Sequence, residues 1–164
     1  MRKINYIWVH NSWSIFGGKS QINQWHLDRG WSQIGYNYVI NNGIQHSNSK
    51  YDETYDGLVE VGRDIKLIPA MVKGHNKDGI GICLIGKTEF TKAQLHSLIF
   101  LIHDLMEKYN VPVSNILGHY EADTANGKTC PNFNCDILRE IVSETLSDLN
   151  PLLFPYDKDK FNFV

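Results

Sequence analysis

The chain has 164 residues and a formal net charge of −2, with 42% hydrophobic and 21% charged residues. This composition is typical of one globular domain and excludes a disordered chain. The charge gives no basic footprint for general nucleic-acid binding, and no apolar run approaches the roughly 20 residues that a membrane span needs.

The first residues predict a β-strand rather than a targeting segment. Residues 4–10 are rich in apolar and aromatic side chains and end at His10. The apolar stretch is short and interrupted by Asn5, unlike the continuous core of a secretory signal peptide. A protein kept in the cytoplasm of the cell that makes it is therefore expected.

A helix and a hairpin are predicted next. Residues 20–30 have helical spacing, with Ser20 as the expected N-cap and Gly30 as the stop. Two β-rich runs, 36–40 and 58–61, could pair as a hairpin. Their connection, 41–57, is long for a hairpin, where two to five residues are usual. It is either a substrate-facing insertion or a solvated loop without a role.

The middle of the chain predicts a buried strand and a long helix. Residues 79–86 form a continuous apolar run bounded by glycines, which is typical of a central strand buried on both faces. Thr91 is the expected N-cap of a helix over residues 92–110, whose leucines and isoleucines share one face.

The last third predicts a short strand at 115–117, a loop from His119 to Cys135 and a helix at 136–149. Residues 151–164 have no clear period and are expected to be a tail rather than a second domain. Strands alternate with helices, so the expected fold is α/β: a single domain, residues 1–150, with a mixed central sheet flanked by helices.

Three side chains that can bind a metal occupy positions where stiff backbone presents them. His10 closes the first strand, His119 follows Gly118 at the end of another, and Cys130 precedes Pro131. Two imidazoles and one thiolate suit zinc, and three protein ligands leave a fourth position open, as in catalytic sites. Spacing alone is weak evidence, because these residues are far apart in the chain.

The cysteines allow a competing interpretation. Cys135 lies five residues beyond Cys130, and a disulfide between them would destroy the metal site. The odd count of three cysteines and the expected reducing compartment favour free thiols. Cys83 lies inside the buried apolar run and is predicted to be a small core side chain.

Seven short motifs follow one another over about residues 4–145, and their order is more specific than any one of them. They are Ile7-Trp8-Val9-His10; Gln24-Trp25-His26 with Gly30-Trp31; Ile34-Gly35-Tyr36-Asn37-Tyr38-Val39-Ile40; Val59-Glu60-Val61-Gly62-Arg63; Gly79-Ile80-Gly81-Ile82-Cys83-Leu84-Ile85-Gly86; Gly118-His119-Tyr120-Glu121; and Lys128-Thr129-Cys130-Pro131. This order resembles the type-2 N-acetylmuramoyl-L-alanine amidases, the family that includes amidase-type phage lysozymes and is similar to animal peptidoglycan recognition proteins.

The resemblance implies a zinc-dependent enzyme that cuts the amide bond between N-acetylmuramic acid and L-alanine in bacterial peptidoglycan. It implies His10, His119 and Cys130 as zinc ligands, and Tyr36 and Lys128 as catalytic residues. Phage members carry this tyrosine and lysine together with a cysteine ligand, whereas cytosolic wall-recycling relatives carry Glu and Asp at the tyrosine and cysteine places. A phage endolysin, or bacteriolytic lysozyme, is therefore expected.

Two departures from the family pattern bear on substrate binding. Met71 stands where phage members have a histidine, and Asn11-Ser12-Trp13 replaces the usual Cys/Thr-Ser-Ala. They predict a shifted substrate preference with the chemistry retained. His75 and Trp13 are the candidate substrate-binding residues, with a surface role for His75 and core packing for Trp13 as the alternatives.

Other functions of this fold stay open at the level of sequence. The chain could be a non-catalytic muropeptide-binding module, although Cys130, the ligand such modules usually lack, is present. It could be an amidase that recycles wall fragments, with or without a regulatory contact to a phage RNA polymerase. As an endolysin it is expected to be a monomer in the host cytoplasm that reaches the wall after membrane permeabilisation.

Overall fold

The computed structural model of the protein describes residues 2–147, which form a five-stranded mixed sheet with helices on both faces. The elements are β1 (Tyr6–Asn11), α1 (Lys19–Asp28), β2 (Tyr38–Asn42), β3 (Asp56–Val61), β4 (Gly79–Leu84), α2 (Lys92–Tyr109), β5 (Ile116–Gly118) and α3 (Cys135–Ser147), with short 3-10 turns at Val113–Asn115 and His119–Glu121. The α/β prediction is confirmed. The predicted tail at 151–164 lies outside the described residues.

Over residues 2–147 the strand order is β3-β2-β4-β1-β5, and only the β2–β3 hairpin is antiparallel. β4 lies between β1 and β2, and all six of its residues are buried, as the apolar run predicts. Its register places Cys83 beside His10 of β1. Within the described residues, no helix is both long and apolar enough to cross a membrane.

One face of the sheet carries the main hydrophobic core, which α2 and α3 cover. Ile7 and Val9 of β1 point into this core, as do Leu95, Leu98 and Ile102 of α2. α2 begins where the sequence predicts, because Thr91 forms a capping box with Gln94: each side chain accepts a hydrogen bond from the other residue's backbone N–H, both at 3.0 Å.

The opposite face is covered by α1 and by loops. Successive side chains of a strand point to opposite faces, so Tyr6, Trp8 and His10 share this second face. A small cluster around Ile22 of α1 and Cys83 of β4 packs on it, and a second cluster joins Trp8 to the loops that follow β3 and β5. Binding and catalytic residues often lie on loops that a rigid sheet positions, and the candidate site lies on this loop-covered face.

The predicted start of the first helix is wrong. The N-cap of α1 is Gly18, which has no side chain to cap with, and Ser20 lies inside the helix. The carboxylate of Glu60, on β3, accepts the backbone N–H of Lys19 at 2.8 Å instead. A β-carbon at Gly18 would lie 2.8 Å from that carboxylate, so any larger residue there would displace the capping group.

Two boundaries and one loop also differ in detail from the expectations. β1 continues one residue past His10, to Asn11, and Tyr36 precedes β2 rather than lying within it. The long connection, residues 43–55, and the end of β2 are tied to the segment after β1: Gly17 N–H donates to Ile44 O, and Asn42 Nδ2 donates to Ile15 O, both at 2.8 Å. A substrate-facing role for this connection stays a prediction.

Candidate metal centre and active site

The three predicted metal ligands converge on the loop-covered face. One potential ligand atom from each of His10, His119 and Cys130 lies within 4.8 Å of the others. This is the only such group of three or more His, Cys, Asp or Glu side chains in the part of the chain that the structure describes. Nδ1 of His10 lies 3.8 Å from Sγ of Cys130, and the two imidazole centroids are 4.7 Å apart.

Sheet topology explains why the two histidines meet. β1 and β5 are parallel neighbours, and Val9 pairs with Gly118. The residues that follow this pair, His10 and His119, therefore leave adjacent strands at the same edge of the sheet, where carboxyl ends of parallel strands commonly bind ligands. Although 109 positions separate them in the sequence, the strand register places them side by side.

The turn that carries His119 is held by α3. Glu121 accepts the backbone N–H of Gly118 at 2.7 Å, and its carboxylate pairs with Arg139 of α3 at 2.8 Å. The backbone N–H of Tyr120 donates to the carbonyl of Cys130 at 3.0 Å. The histidine turn and the cysteine loop are therefore one connected unit, anchored to a helix.

Cys130 is a free thiol, as are Cys83 and Cys135. The disulfide alternative is therefore not formed. The backbone N–H of Asn11 donates to Sγ of Cys130 at 3.2 Å, which places the third ligand against the end of β1. Cys135 is buried at the first position of α3.

Burial sets the charge states of the ligands. It lowers the pKa of His10 well below the usual value, with help from His119 and the positive charge of Lys128. Burial and Lys128 lower the pKa of His119 to about 4. Both rings are therefore neutral near pH 7, which is the form that binds metals. Burial raises the pKa of Cys130 to about 11, so a bound cation would have to displace the thiol proton.

The donor set fits zinc. Zn–N and Zn–S bonds of about 2.1 and 2.3 Å at a tetrahedral angle place the nitrogen and sulfur about 3.6 Å apart. The observed separation of His10 Nδ1 and Cys130 Sγ is 3.8 Å. Two neutral imidazoles and one thiol supply three ligands and leave the fourth position of a tetrahedral ion open, as in catalytic zinc sites.

Tyr36 and Lys128 border this cluster. The ring of Tyr36 lies 5.0 Å from that of His10, and burial raises the pKa of its phenol well above the usual value, so it stays a neutral donor. Lys128 is exposed, yet its charge lowers the pKa of His10, of His119 and of Cys130. Its side chain therefore acts on all three ligands from the solvent side.

His75 and Trp13 lie outside the three-ligand cluster. Nε2 of His75 is 2.8 Å from Oδ1 of Asp123, and its ring packs 5.3 Å from that of Trp8. Trp13 follows the end of β1 with 62% of its surface exposed and a left-handed backbone, φ 56°. Core packing of Trp13 is therefore wrong, and its role in substrate binding stays a prediction.

Met71, which replaces the family's histidine, packs on β4. A β-carbon at Gly79 would lie 2.7 Å from its Cε and 2.8 Å from Cδ1 of Trp8, and a β-carbon at Gly81 would collide with its Sδ. The two glycines thus make a flat strip that the thioether covers. The side chain at this position contributes packing rather than a hydrogen bond to the floor of the face.

Sequence reasoning missed two supporting residues. His26 accepts the backbone N–H of Gly35 at its Nδ1, at 2.9 Å, and its ring lies 5.6 Å from that of Tyr36. Asn11 is buried at the end of an apolar strand. For Asn11 the available signal was a polar side chain directly after a predicted ligand at the end of an apolar strand, since buried polar groups are nearly always hydrogen-bonded.

Comparison with known proteins gives a consistent result. The family model described as N-acetylmuramoyl-L-alanine amidase matches residues 1–133. The endolysin of Escherichia phage T7 is 34% identical over 125 residues, which are 71% of each chain. The amidase LysC from Clostridium intestinale has a TM-score of 0.70 at 26% identity and covers 89% of this chain and 87% of its own. Drosophila PGRP-LB has a TM-score of 0.62 at 25% identity, with 90% and 82% covered.

Proposed function

The chain belongs to the N-acetylmuramoyl-L-alanine amidase family, and we propose that it is a zinc-dependent endolysin of a bacteriophage. Its reaction is hydrolysis of the amide bond between N-acetylmuramic acid and the L-alanine of the stem peptide in peptidoglycan. The observation that carries the zinc proposal is the convergence of three ligand atoms within 4.8 Å on one face of the sheet.

His10, His119 and Cys130 would hold the ion. Zinc with one open coordination position polarises an amide carbonyl and lowers the pKa of a water from 15.7 to about 7. The protein's own contribution is to keep both imidazoles neutral by burial and to present the thiol next to a backbone donor, the N–H of Asn11. These features favour metal binding near neutral pH.

The proposed role of Lys128 is to stabilise the negative charge that develops on the oxygen of the scissile carbonyl. An amide carbonyl that is attacked by water becomes negatively charged, and a fixed cation lowers the energy of that state. The Lys128 charge already acts on all three ligands, which supports its place beside the reacting group. Removing one such donor typically costs roughly 2.7–4 kcal/mol of transition-state stabilisation.

The proposed role of Tyr36 is to orient the attacking water or to donate a proton to the leaving nitrogen. Its phenol is neutral because burial raises its pKa well above the usual value, so it can donate a proton or a hydrogen bond without carrying charge. Its ring lies against the ligand His10, at 5.0 Å, which supports this place beside the metal.

Substrate contacts are assigned to Trp13 and His75. An exposed tryptophan in a left-handed backbone conformation costs free energy, and such strain often marks functional positions. Trp13 lies three residues beyond His10 and offers an apolar surface to the polymer. His75 stands beside Trp8, on the same face of the sheet as His10, with Nε2 already bonded to Asp123.

The decisive experiment combines metal analysis with identification of the products. Wild-type protein is expected to hold one zinc per chain and to release free stem peptides from purified sacculi while glycan strands stay intact by mass spectrometry. Cys130→Ser should lose both zinc and activity, and Cys135→Ala, which removes a nearby buried free thiol, should keep both. Cut glycan strands would point to a different enzyme class.

The same assay separates an endolysin from a recycling enzyme. An endolysin is expected to act on intact sacculi, whereas a recycling amidase prefers soluble muropeptides released beforehand. Activity on soluble fragments alone would overturn the endolysin part of the proposal and leave the amidase assignment in place.

A further inference from the structure

The side chain of Asn11 joins the end of β1 to two other segments. Its Nδ2 donates to the carbonyl of Lys87 at 2.7 Å and to the carbonyl of Pro131 at 3.0 Å. Its backbone N–H donates to Sγ of Cys130 at 3.2 Å. Asn11 thus touches the thiol through its backbone and the residue after that thiol through its side chain, while it is only 7% exposed.

The chemistry of the two partners calls for an amide at this place. Both are backbone carbonyls, which only accept hydrogen bonds, and the NH₂ group of asparagine supplies two donors. An aspartate would bring negative charge against two oxygens, and an alanine would leave the carbonyl of Pro131 without this donor. Lys87 O also accepts Nδ2 of Asn132 at 2.8 Å, so this carbonyl anchors both β1 and the cysteine loop.

Cys130 depends more than His10 on hydrogen bonds that fix its position. His10 belongs to a strand with neighbours on both sides, β4 and β5. Cys130 follows an exposed stretch, residues 126–129, and is not part of the sheet. Loops vary in position unless hydrogen bonds hold them, and a metal site tolerates little variation in its ligands.

We propose that Asn11 is a positioning residue for the metal centre: its side chain holds the Cys130–Pro131 segment so that Sγ stands opposite Nδ1 of His10. This inference rests on the proposed function, because it takes His10, His119 and Cys130 as the metal ligands. The backbone N–H of Asn11 remains in every variant, so substitution of the side chain tests the two carbonyl bonds alone.

A matched control lies at the other end of the same strand. Nδ2 of Asn115 donates to the carbonyl of Asn5, just before β1, at 2.9 Å. Asn115→Ala therefore removes the same kind of hydrogen bond, from a side-chain amide to a backbone carbonyl, away from the ligands. Asn11→Ala removes two such bonds and Asn115→Ala removes one, so zinc affinity and alkylation are compared in variants that are folded under the assay conditions.

The test measures zinc affinity by competition with a chelator, and the rate of Cys130 alkylation in metal-free folded protein by peptide mass spectrometry. Asn11→Ala is expected to weaken zinc binding about 10- to 100-fold, the usual effect of removing an outer-shell partner, and to speed alkylation of Cys130. Asn115→Ala should change neither more than about twofold. Asn11→Ser, which keeps one donor, should fall between wild type and Asn11→Ala.

Three outcomes would overturn the inference. Unchanged zinc affinity and an unchanged rate of Cys130 alkylation in folded Asn11→Ala would show that the cysteine loop keeps its position without the Asn11 side chain. If Asn11→Ala does not fold, wild-type values in Asn11→Ser would contradict it equally. Failure of the wild type to bind zinc would overturn the proposed metal site as well, whereas zinc binding by wild type with unaffected variants would overturn only the role of Asn11.

Discussion

The buried ring of His26 supports the segment that carries Tyr36, the proposed catalytic tyrosine. Its Nδ1 accepts the N–H of Gly35, the residue before Tyr36, and its ring packs between Trp31 and Tyr36. Burial, with smaller effects of Arg29 and Arg63, lowers its pKa to about 4. The neutral form is therefore part of the folded state near pH 7, because a protonated Nδ1 could no longer accept that hydrogen bond.

This shift predicts acid destabilisation that depends on His26. In the unfolded chain the ring takes up a proton near its usual pKa of 6.5, whereas the folded protein resists protonation until about pH 4. The contribution of His26 to the free energy of unfolding is therefore fully present above pH 6.5, and it is lost as the pH falls toward 4. The free energy of unfolding decreases between pH 7.5 and pH 4.5, and we expect this decrease to be roughly 1 to 2 kcal/mol smaller in His26→Gln than in wild type, allowing for solvent screening.

Urea unfolding of both proteins at the two pH values, with a chelator present, measures this difference. The chelator removes the separate effect of protons that compete with metal at the other histidines. Parallel pH dependence in wild type and His26→Gln would contradict the assignment.

Lys128 carries a second prediction at this scale. Replacement by alanine should lower kcat about 100- to 1000-fold with little change in zinc content, because the lost interaction belongs to the transition state. Lys3→Ala, an exposed lysine near the opposite end of β1, should behave as wild type. A higher KM with normal kcat would instead place Lys128 in ground-state binding of the substrate.

At the scale of elements, the sequence contains the signal for a helix cap formed by near neighbours but not for one formed by a distant residue. Thr91 caps α2 through Gln94, three residues away, so the sequence contains the whole interaction. α1 is capped by Glu60, which lies 41 residues beyond Lys19 and arrives through the β2–β3 hairpin. A cap that comes from another strand leaves no periodic or neighbouring signal, whereas Ser20 has the side chain of a typical N-cap and is predicted for that reason.

Glu60 is predicted to stabilise the start of α1. One oxygen of its carboxylate accepts the N–H of Lys19 at 2.8 Å and Nδ2 of Asn41 at 2.9 Å. Glu60→Ala should lower the free energy of unfolding by about 1 to 2 kcal/mol, the cost of losing a charged acceptor at a helix N-terminus. Glu60→Gln keeps a neutral acceptor and should lose less. Equal losses in urea unfolding would show that packing, not capping, is the contribution of this side chain.

At the scale of the whole molecule, the topology of the sheet converts distant positions into a site. The pattern of strands and helices predicted the α/β class and the buried central strand, but not that β1 lies between β4 and β5. Without that order, nothing in the spacing places His10 beside His119: their positions at strand ends make each a candidate, and only the family's motif order groups them in one site. The sequence does not predict the hydrogen bonds of the Asn11 side chain for the same reason, since they depend on which loops lie beside the end of β1.

In the proposed site, a zinc ion would cross-link distant segments of the fold. His10 and Cys130 are 120 positions apart and His119 lies on a third segment, so zinc would connect the first strand to the loop before α3. An ion that binds only the folded state stabilises it by about 2.7 kcal/mol at a free concentration of 100 times its dissociation constant. We expect this difference in urea unfolding between wild type with buffered zinc and wild type with chelator.

His119→Ala should lose the zinc-dependent stabilisation, because two remaining ligands bind the ion too weakly, and Cys135→Ala should keep it. Equal stability of the wild type with zinc and with chelator, in protein that still binds one zinc, would mean that the unfolded chain binds zinc equally well. The fold would then contribute nothing to the site, because the affinity would come from local sequence. The long separation of the three ligands along the chain argues against that outcome, since closing loops of this length in an unfolded chain costs entropy that the folded sheet has already met.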